Sequence, residues 1–263
     1  MSPHLDSHVR PRLRRSPLPF EAVAATHLGH RDTNADAHLI DEVAGFFAVS
    51  DGMGDTPRSG LIARMALESA GELFLGSWPS SSPSERVVHE AVERLRLGIA
   101  QAHGRLYVPG RPREQRVGAT FAGMVACAGW ICFAHVGDSR VYLLRRSKAR
   151  LACLTDDHTV LGDALRRGVA REVALTHPDA HAVTRMLGVT THVEAEPLIQ
   201  RWEPGDVVML CTDGVSDRVD TEELAVILLD TEHLGEAADR VVARSIDTGG
   251  KDNATAVLVR RLR

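Results

Sequence analysis

Long apolar runs are missing from this sequence. None approaches the roughly 20 residues that cross a bilayer, so no membrane span is expected. Cysteine is scarce: Cys127, Cys132, Cys153 and Cys211 are the four present, and no two form a close metal-binding pair. A zinc ribbon or a disulfide framework is therefore not expected, and the thiols read as buried and free in a reducing, cytoplasmic setting. An excess of charge is lacking too. The 31 Lys and Arg against 35 Asp and Glu leave a net charge of −4, which gives no case for a nucleic-acid partner. Residues 1–19 are basic and rich in Pro and Arg but lack the apolar centre of a secretory signal. They read as a disordered arm, solvated rather than bound to an acidic partner.

What is present is a 263-residue chain with 44% hydrophobic and 25% charged residues, enough for a sizeable core. Its organising feature is Asp51-Gly52, after the apolar run 45–49 and before a helix-like stretch, 59–75. Asp offers hard oxygens, and Gly lets its own carbonyl turn toward the same ion with no side chain in the way. Asp-Gly is also a common turn. Two further apolar runs end alike, at Asp138 and at Asp213-Gly214, and Asp252 stands just before a fourth, 254–259. Four Asp at the margins of four strands exceed what turns require. They predict convergence on a cluster of divalent cations.

Strands are expected at 21–28, 37–40 and 45–49. The polar connection between the first two carries Arg31, which by spacing reads as a surface Arg–Asp pair, although a two-pronged phosphate contact also suits Arg. Over 59–75 the spacing is helical, with Leu61, Met65, Leu73 and Leu75 on the apolar face. After a Ser/Pro loop at 78–83, Ser84 would cap a second helix that buries Val87, Val88, Ala91, Val92, Leu95, Leu97 and Ile99. Residues 109–116 form a basic loop. Three apolar segments, 120–128, 130–136 and 141–144, have connections short enough for antiparallel hairpins, the second through Asp138-Ser139-Arg140. A short strand at 151–154 precedes a surface flap at 157–189, of the kind that carries substrate contacts. Segments 194–201 and 206–211 read as a strand pair turning at Glu203-Pro204-Gly205, followed by helices at 221–229 and 234–245 and a closing strand. No repeat or linker divides residues 20–263, which read as one domain.

Eight motifs stand in a telling order: Arg31-x-x-Asn34-x-Asp36; Asp51-Gly52-Met53-Gly54; Gly118-Ala119-Thr120; Val136-Gly137-Asp138-Ser139-Arg140-Val141-Tyr142; Leu154-Thr155-Asp156-Asp157-His158; Thr184-Arg185-Met186-Leu187-Gly188; Leu210-Cys211-Thr212-Asp213-Gly214-Val215-Ser216-Asp217; and Gly249-Gly250-Lys251-Asp252-Asn253-Ala254-Thr255. Together they resemble the metal-dependent serine/threonine protein phosphatases of type 2C in their bacterial form, over about residues 21–259. The resemblance implies an α+β fold, a four-layer α-β-β-α sandwich of two central antiparallel sheets flanked by helix pairs. It implies a centre of two or three Mn²⁺ or Mg²⁺ ions. Asp51 would bridge two of them, Gly52 would give its carbonyl, Asp213 and Asp252 would hold the first, and Asp138 with Asp213 a third. Asp36 would orient metal-bound water, and Arg31 would bind the substrate phosphate. The implied function is hydrolysis of phosphoserine and phosphothreonine in proteins by a metal-bound water, opposing a bacterial Ser/Thr kinase, with a monomer expected. Hard oxygen donors suit these ions better than zinc.

The sequence departs from the family pattern at one telling place. Where the family continues with Gly-His after Met-Gly, this chain has Asp55-Thr56. That His is the family's proposed general acid, and such a group contributes about 10²–10⁴-fold in rate. Slow turnover of phosphoserine is expected, with less penalty on aryl phosphates, whose leaving group needs no proton. His27, His30 and His158 are possible substitutes that read better as structural residues. Asp55 adds a carboxylate beside Asp51. Two alternatives stand beside the phosphatase. One is a low-activity or non-catalytic member that binds a phosphorylated partner and regulates signalling; the other is a small-molecule phosphomonoesterase, against which the long flap speaks.

Overall fold

The central strands are apolar on both faces, and this decides how the layers stack. In the computed structural model, which describes residues 20–75, 85–112, 115–127 and 129–262, the chain forms two five-stranded antiparallel sheets. The first, in the order β1-β10-β9-β6-β7, is built from Phe20–His27, Ala254–Arg261, Val207–Cys211, Arg140–Arg145 and Arg150–Cys153. The second, in the order β2-β3-β4-β5-β8, is built from Asp36–Asp41, Phe46–Asp51, Phe121–Cys127, Trp130–Val136 and Leu198–Arg201. Alternate residues of each strand enter different cores. In β3, Phe47 and Val49 face the other sheet while Phe46 and Ala48 face helices. In β9, Val208 and Leu210 turn inward while Val207, Met209 and Cys211 face the opposite helical layer. Sheets apolar on both faces must be covered on both, which yields the expected α-β-β-α sandwich.

Helices α1 (Pro57–Gly71) and α2 (Glu85–Leu106) cover the second sheet. The first sheet is covered by α6 (Thr221–Asp230) and α7 (Leu234–Asp247). Helix α7 has an apolar face at helical spacing, with Leu234, Ala237, Ala238, Val241 and Val242 buried. Asp220 caps α6 by accepting a hydrogen bond from the Glu223 amide at 2.7 Å. Two short helices, α3 (Val160–Arg166) and α4 (Arg171–Ala174), form the flap around a small cluster of Leu161, Ala174 and Ala180. A single turn of helix, α5 (Asp213–Ser216), follows β9. The flap's far end returns to the core, where fully buried Leu187 bridges to Ala119. No helix among the described residues is long and apolar enough to cross a membrane.

Several expectations need correction. Strands β5 and β6 are not a hairpin: the chain crosses between sheets at Gly137, whose φ of +105° admits glycine at little cost. Strands β8 and β9 are not paired either; β8 joins β5, and β9 lies between β10 and β6. A strand apolar on both faces carries no mark of its partner, so short connections mislead. In α1 the stripe of large residues does not face the core. Leu61 is 62% and Leu75 63% exposed, while Ser59, Ala63, Ala66, Ser69 and Ala70 are buried. Leu67 is the large residue that α1 does bury, with Ile62 partly buried beside the same core. The helix ends at Gly71, and Phe74 in the following 3-10 turn stacks on Phe46 at 5.2 Å. Leu97 of α2 is exposed, as is Cys153, whereas the other three thiols are buried. The arm 1–19, the loop 78–83 and the Ser84 cap lie outside the described residues.

Candidate metal centre and active site

Antiparallel pairing brings the four acidic strand ends to one edge. Strands β3 and β5 flank β4 and so run the same way, which puts Asp51 and the turn to Asp138 at one end. Strand β9 is antiparallel to β10, so Asp213 follows one strand beside the start of the other, next to Asp252. Asp36 faces Asp51 directly across the β2–β3 register. The expected residues Asp36, Asp51, Gly52, Asp138, Asp213 and Asp252 therefore share one edge of the sandwich. Arg31, in the loop between β1 and β2, reaches the same place, donating to Asp252 Oδ2 at 2.8 Å and more weakly to Asp55 Oδ2 at 3.4 Å.

Small polar residues hold this edge in register. The Asp51 amide donates to Thr120 Oγ1, and the Thr120 amide to the Asp51 carbonyl, both at 2.8 Å. Buried Ser139 shares a 2.7 Å hydrogen bond with the same Thr120 hydroxyl, tying the Asp138 turn to Asp51. Thr212 Oγ1 donates to Asp36 Oδ2 at 2.8 Å and accepts from the Thr255 amide at 3.1 Å. Asn253 clamps the Arg31 loop: its amide donates to the Leu28 and Thr33 carbonyls, and its oxygen accepts from the Ala35 amide at 2.7 Å. A Cβ on Gly52 would lie 2.0 Å from the Ser59 carbonyl oxygen, so only glycine fits between the turn and α1. Thr120, Ser139, Thr212 and Asn253 all lie within the motifs read from the sequence, but their supporting roles were not legible there.

The electrostatics are those of a site built for a cation. Burial raises the Asp36 carboxyl to about 7, against the help of hydrogen bonds from Thr255 and Thr212. Burial raises Asp138 to about 6, with Asp157 and Asp217 adding to the shift. Asp51 and Asp213 rise well above the carboxylate range, first through burial and then through repulsion from neighbouring Asp residues, Arg31 opposing this at Asp51. A divalent cation inverts each of these shifts. The donors are hard oxygens, so the edge fits Mn²⁺ or Mg²⁺. Among the described residues no three His, Cys, Asp or Glu side chains enclose an ion by themselves. Carbonyl and water ligands must complete the shell, as Mg²⁺ in particular favours.

Beside Asp138 and Asp213 opens a cleft of about 970 Å³, bounded on its far side by the flap. Arg140 spans it in a two-pronged pair with Asp157, at 2.7 and 2.6 Å, and Asp217 lies on its wall. Asp55 does not sit as a further carboxylate beside Asp51. It lies against Arg31 and accepts from Thr33 Oγ1 at 3.1 Å. Two of the histidines named from the sequence, His158 and His27, are engaged in other contacts. His158 Nδ1 accepts from the Gly137 amide at 3.1 Å, and its ring stacks on His135 at 4.4 Å. Burial and neighbouring His135, Arg185 and Arg166 push it down to about 3, so it is neutral at physiological pH. His27 Nδ1 accepts from the Gly29 amide. The Thr56 hydroxyl is bound into its own turn with Ser59 Oγ at 3.0 Å.

Known proteins share this arrangement of chain. A model of the family described as protein phosphatase 2C matches residues 24–263. Serine/threonine phosphatase stp of Listeria welshimeri is 32% identical over 236 residues, 88% of this chain and 90% of that protein. The crystal structure of the serine/threonine phosphatase PstP/Ppp of Mycobacterium tuberculosis superposes with a TM-score of 0.79 at 24% identity, covering 93% of this chain and 99% of that one. The catalytic domain of PstP solved with two manganese ions has a TM-score of 0.74 at 21% identity, covering 93% and 99%.

Proposed function

The chain belongs to the protein phosphatase 2C family, and from that premise we propose that it is a metal-dependent phosphatase of phosphoserine and phosphothreonine in proteins, opposing a Ser/Thr kinase. The observation that supports this best is the gathering of Asp51, Asp138 and Asp213 at one edge, with carboxyls that burial and mutual repulsion hold above their ordinary range. Asp51, the Gly52 carbonyl, Asp213 and Asp252 would hold two Mn²⁺ or Mg²⁺ ions, and Asp138 with Asp213 a third. Bound there, such ions supply Lewis acidity and bring the pKa of water toward about 7. Asp36, fixed by Thr212, accepts a hydrogen bond from the attacking water and aims it. Arg31 is 39% exposed at its side chain and so can exchange Asp252 for phosphate oxygens, with Asp55 and Thr33 keeping it in reach. The Thr56 hydroxyl, which is not acidic near neutral pH, cannot protonate the departing serine or threonine oxygen, which makes that step slow. The non-catalytic alternative is not favoured, since every acidic position of the motif set is retained.

The test is phosphate release from a phosphothreonine peptide and from an aryl phosphate, each with and without Mn²⁺. Both should turn over only with the metal, the aryl ester faster. Thr56→His should accelerate the peptide by up to about 10²–10⁴-fold and leave the aryl ester nearly unchanged. Hydrolysis that survives chelation, or none at all in the Mn²⁺-loaded protein, would sink the reading.

A further inference from the structure

On the α1–α2 side, next to the returning end of the flap, a groove of about 510 Å³ lies between the start of α1, the end of α2 and the basic loop. Its lining includes Arg58, Met65, Arg105, Val108, Arg111 and Val117, and among the described residues that line it none is acidic. Arg105 is bound to Glu72 and Ser69. Arg58 and Arg111 have no carboxylate within ion-pair distance among the described residues, in a chain whose net charge is −4. Arg58 is the second residue of α1, and the first turn of that helix has no acidic residue. A cation there opposes the helix dipole, so local helix stability does not account for it. Beside it stands the apolar stripe that the spacing of α1 announced and the core does not use: Leu61 is 62% and Met65 41% exposed. The groove also runs on into the catalytic turn. Val117 lines it, and the carbonyl of the next residue, Gly118, accepts from the amide of Met53, one residue past Gly52, at 2.9 Å.

We propose that this groove docks the segment of a phosphoprotein substrate that flanks the phosphorylated residue, a stretch that combines carboxylates with apolar side chains. The proposal rests on the phosphatase reading above and adds a substrate class to it. Unpaired guanidinium groups complement the carboxylates, the Leu61–Met65 stripe takes the apolar side chains, and continuity with the Gly52 turn leads the bound segment to the metal edge. The chain's own arm, residues 1–19, is basic and is repelled by Arg58 and Arg111.

The experiment uses the full chain loaded with Mn²⁺ and compares it with the double variant Arg58→Glu/Arg111→Glu. A Glu in the first turn of α1 suits the helix dipole, so the variant should fold; Arg111→Ala, in a loop, is the milder second variant. Three substrates are compared: an aryl phosphate, a phosphothreonine peptide flanked by Asp, Glu and Leu, and the same peptide with Gly and Ser flanks. The wild type should prefer the acidic–apolar peptide. In the double variant KM for that peptide should rise at least about tenfold, with a smaller rise for Arg111→Ala, while kcat and the aryl phosphate are unchanged. Equal rates on the two peptides in the wild type, or an equal loss on the aryl phosphate, would overturn the proposal. Fluorescence anisotropy with the unphosphorylated acidic–apolar peptide reads the groove without turnover. If no substrate is hydrolysed, the phosphatase reading falls, and binding that is lost in the double variant still supports the groove. Binding that is absent from the wild type or unchanged in the variant removes it. A wild-type dimer that the variant dissociates, seen by sedimentation velocity, would assign the groove to a second copy instead.

Discussion

Helix α7 covers β1 and β10 with Leu234, Val241 and Val242, whereas α1 covers β2 and β3 chiefly with Ala63, Ala66 and Ala70. Both helices close a sheet, but α1 meets the Gly52 turn backbone to backbone near its start. Its Ser59 carbonyl stands where a Gly52 side chain would be, and a Cβ on Gly60 would lie 2.5 Å from the Asn34 carbonyl oxygen. Close approach of backbone to backbone near the start of α1 favours small residues there, while Leu67, two turns on, is buried in the core. At the start of α7 the approach is looser: a Cβ on Gly235 meets nothing within 4 Å. The lesson is that the helix beside the site is shaped by the turn it must hold, and the far helix by the apolar area it can bury.

This contrast can be broken at several points. Leu234→Ala should cost about 2–5 kcal/mol of stability, read by denaturant unfolding, with kcat of the Mn²⁺-loaded protein unchanged; a matching loss of kcat would mean the two layers are not separable. Gly60→Ala should cost less, about 1–3 kcal/mol, yet lower Mn²⁺-dependent turnover on the order of tenfold or more, because Asn34 Oδ1 holds the Asp36 amide at 3.0 Å. Full activity in that variant would show that the approach of α1 is incidental to the site.

Metal removal sharpens the same distinction through pH. In the metal-free protein Asp36 sits at about 7 and Asp138 at about 6, both above their unfolded values. From about pH 4 to 7 the unfolded chain has released protons that the folded chain keeps, so metal-free stability falls as pH rises through this window. A cation needs these groups ionised and binds more tightly as pH rises. The rise in Tm produced by Mn²⁺ should therefore be larger at pH 8 than at pH 5, and an increment independent of pH would argue against these carboxylates as ligands. The smallest effects should come from surface positions on the two helices. Gly235→Ala should stabilise by about 0.4–1 kcal/mol, and Leu61→Ala should stay within about 0.5 kcal/mol in either direction. A destabilisation well above that for Leu61→Ala would mean the exposed stripe serves the fold.

Much of the site was legible because its chemistry is carried by single residues at strand margins. Asp51, Asp138, Asp213 and Asp252 each end or begin an apolar run, and antiparallel pairing then requires such ends to meet. The strands themselves were legible from their apolar runs, and α7 from its spacing. The facing of α1 was not, because its periodic stripe is real and periodicity does not say which of two faces meets the sheet. The partner of Asp55 was not legible either, since adjacency to Asp51 in sequence says nothing about which way a side chain leaves a tight turn.

By itself the sequence determined the inventory: which residue types could ligate, which segments are strands, and that Thr56 stands where the resembled family has His. It could do so because these are properties of residue type and local spacing. Only the tertiary structure decided the pairing of β5 with β8 rather than β6, the clamp of Asn253 on the Arg31 loop, the neutral state of His158 and the outward turn of Leu61 and Met65. Each depends on contacts between segments far apart in the chain, where packing and desolvation, and not local propensity, set the outcome.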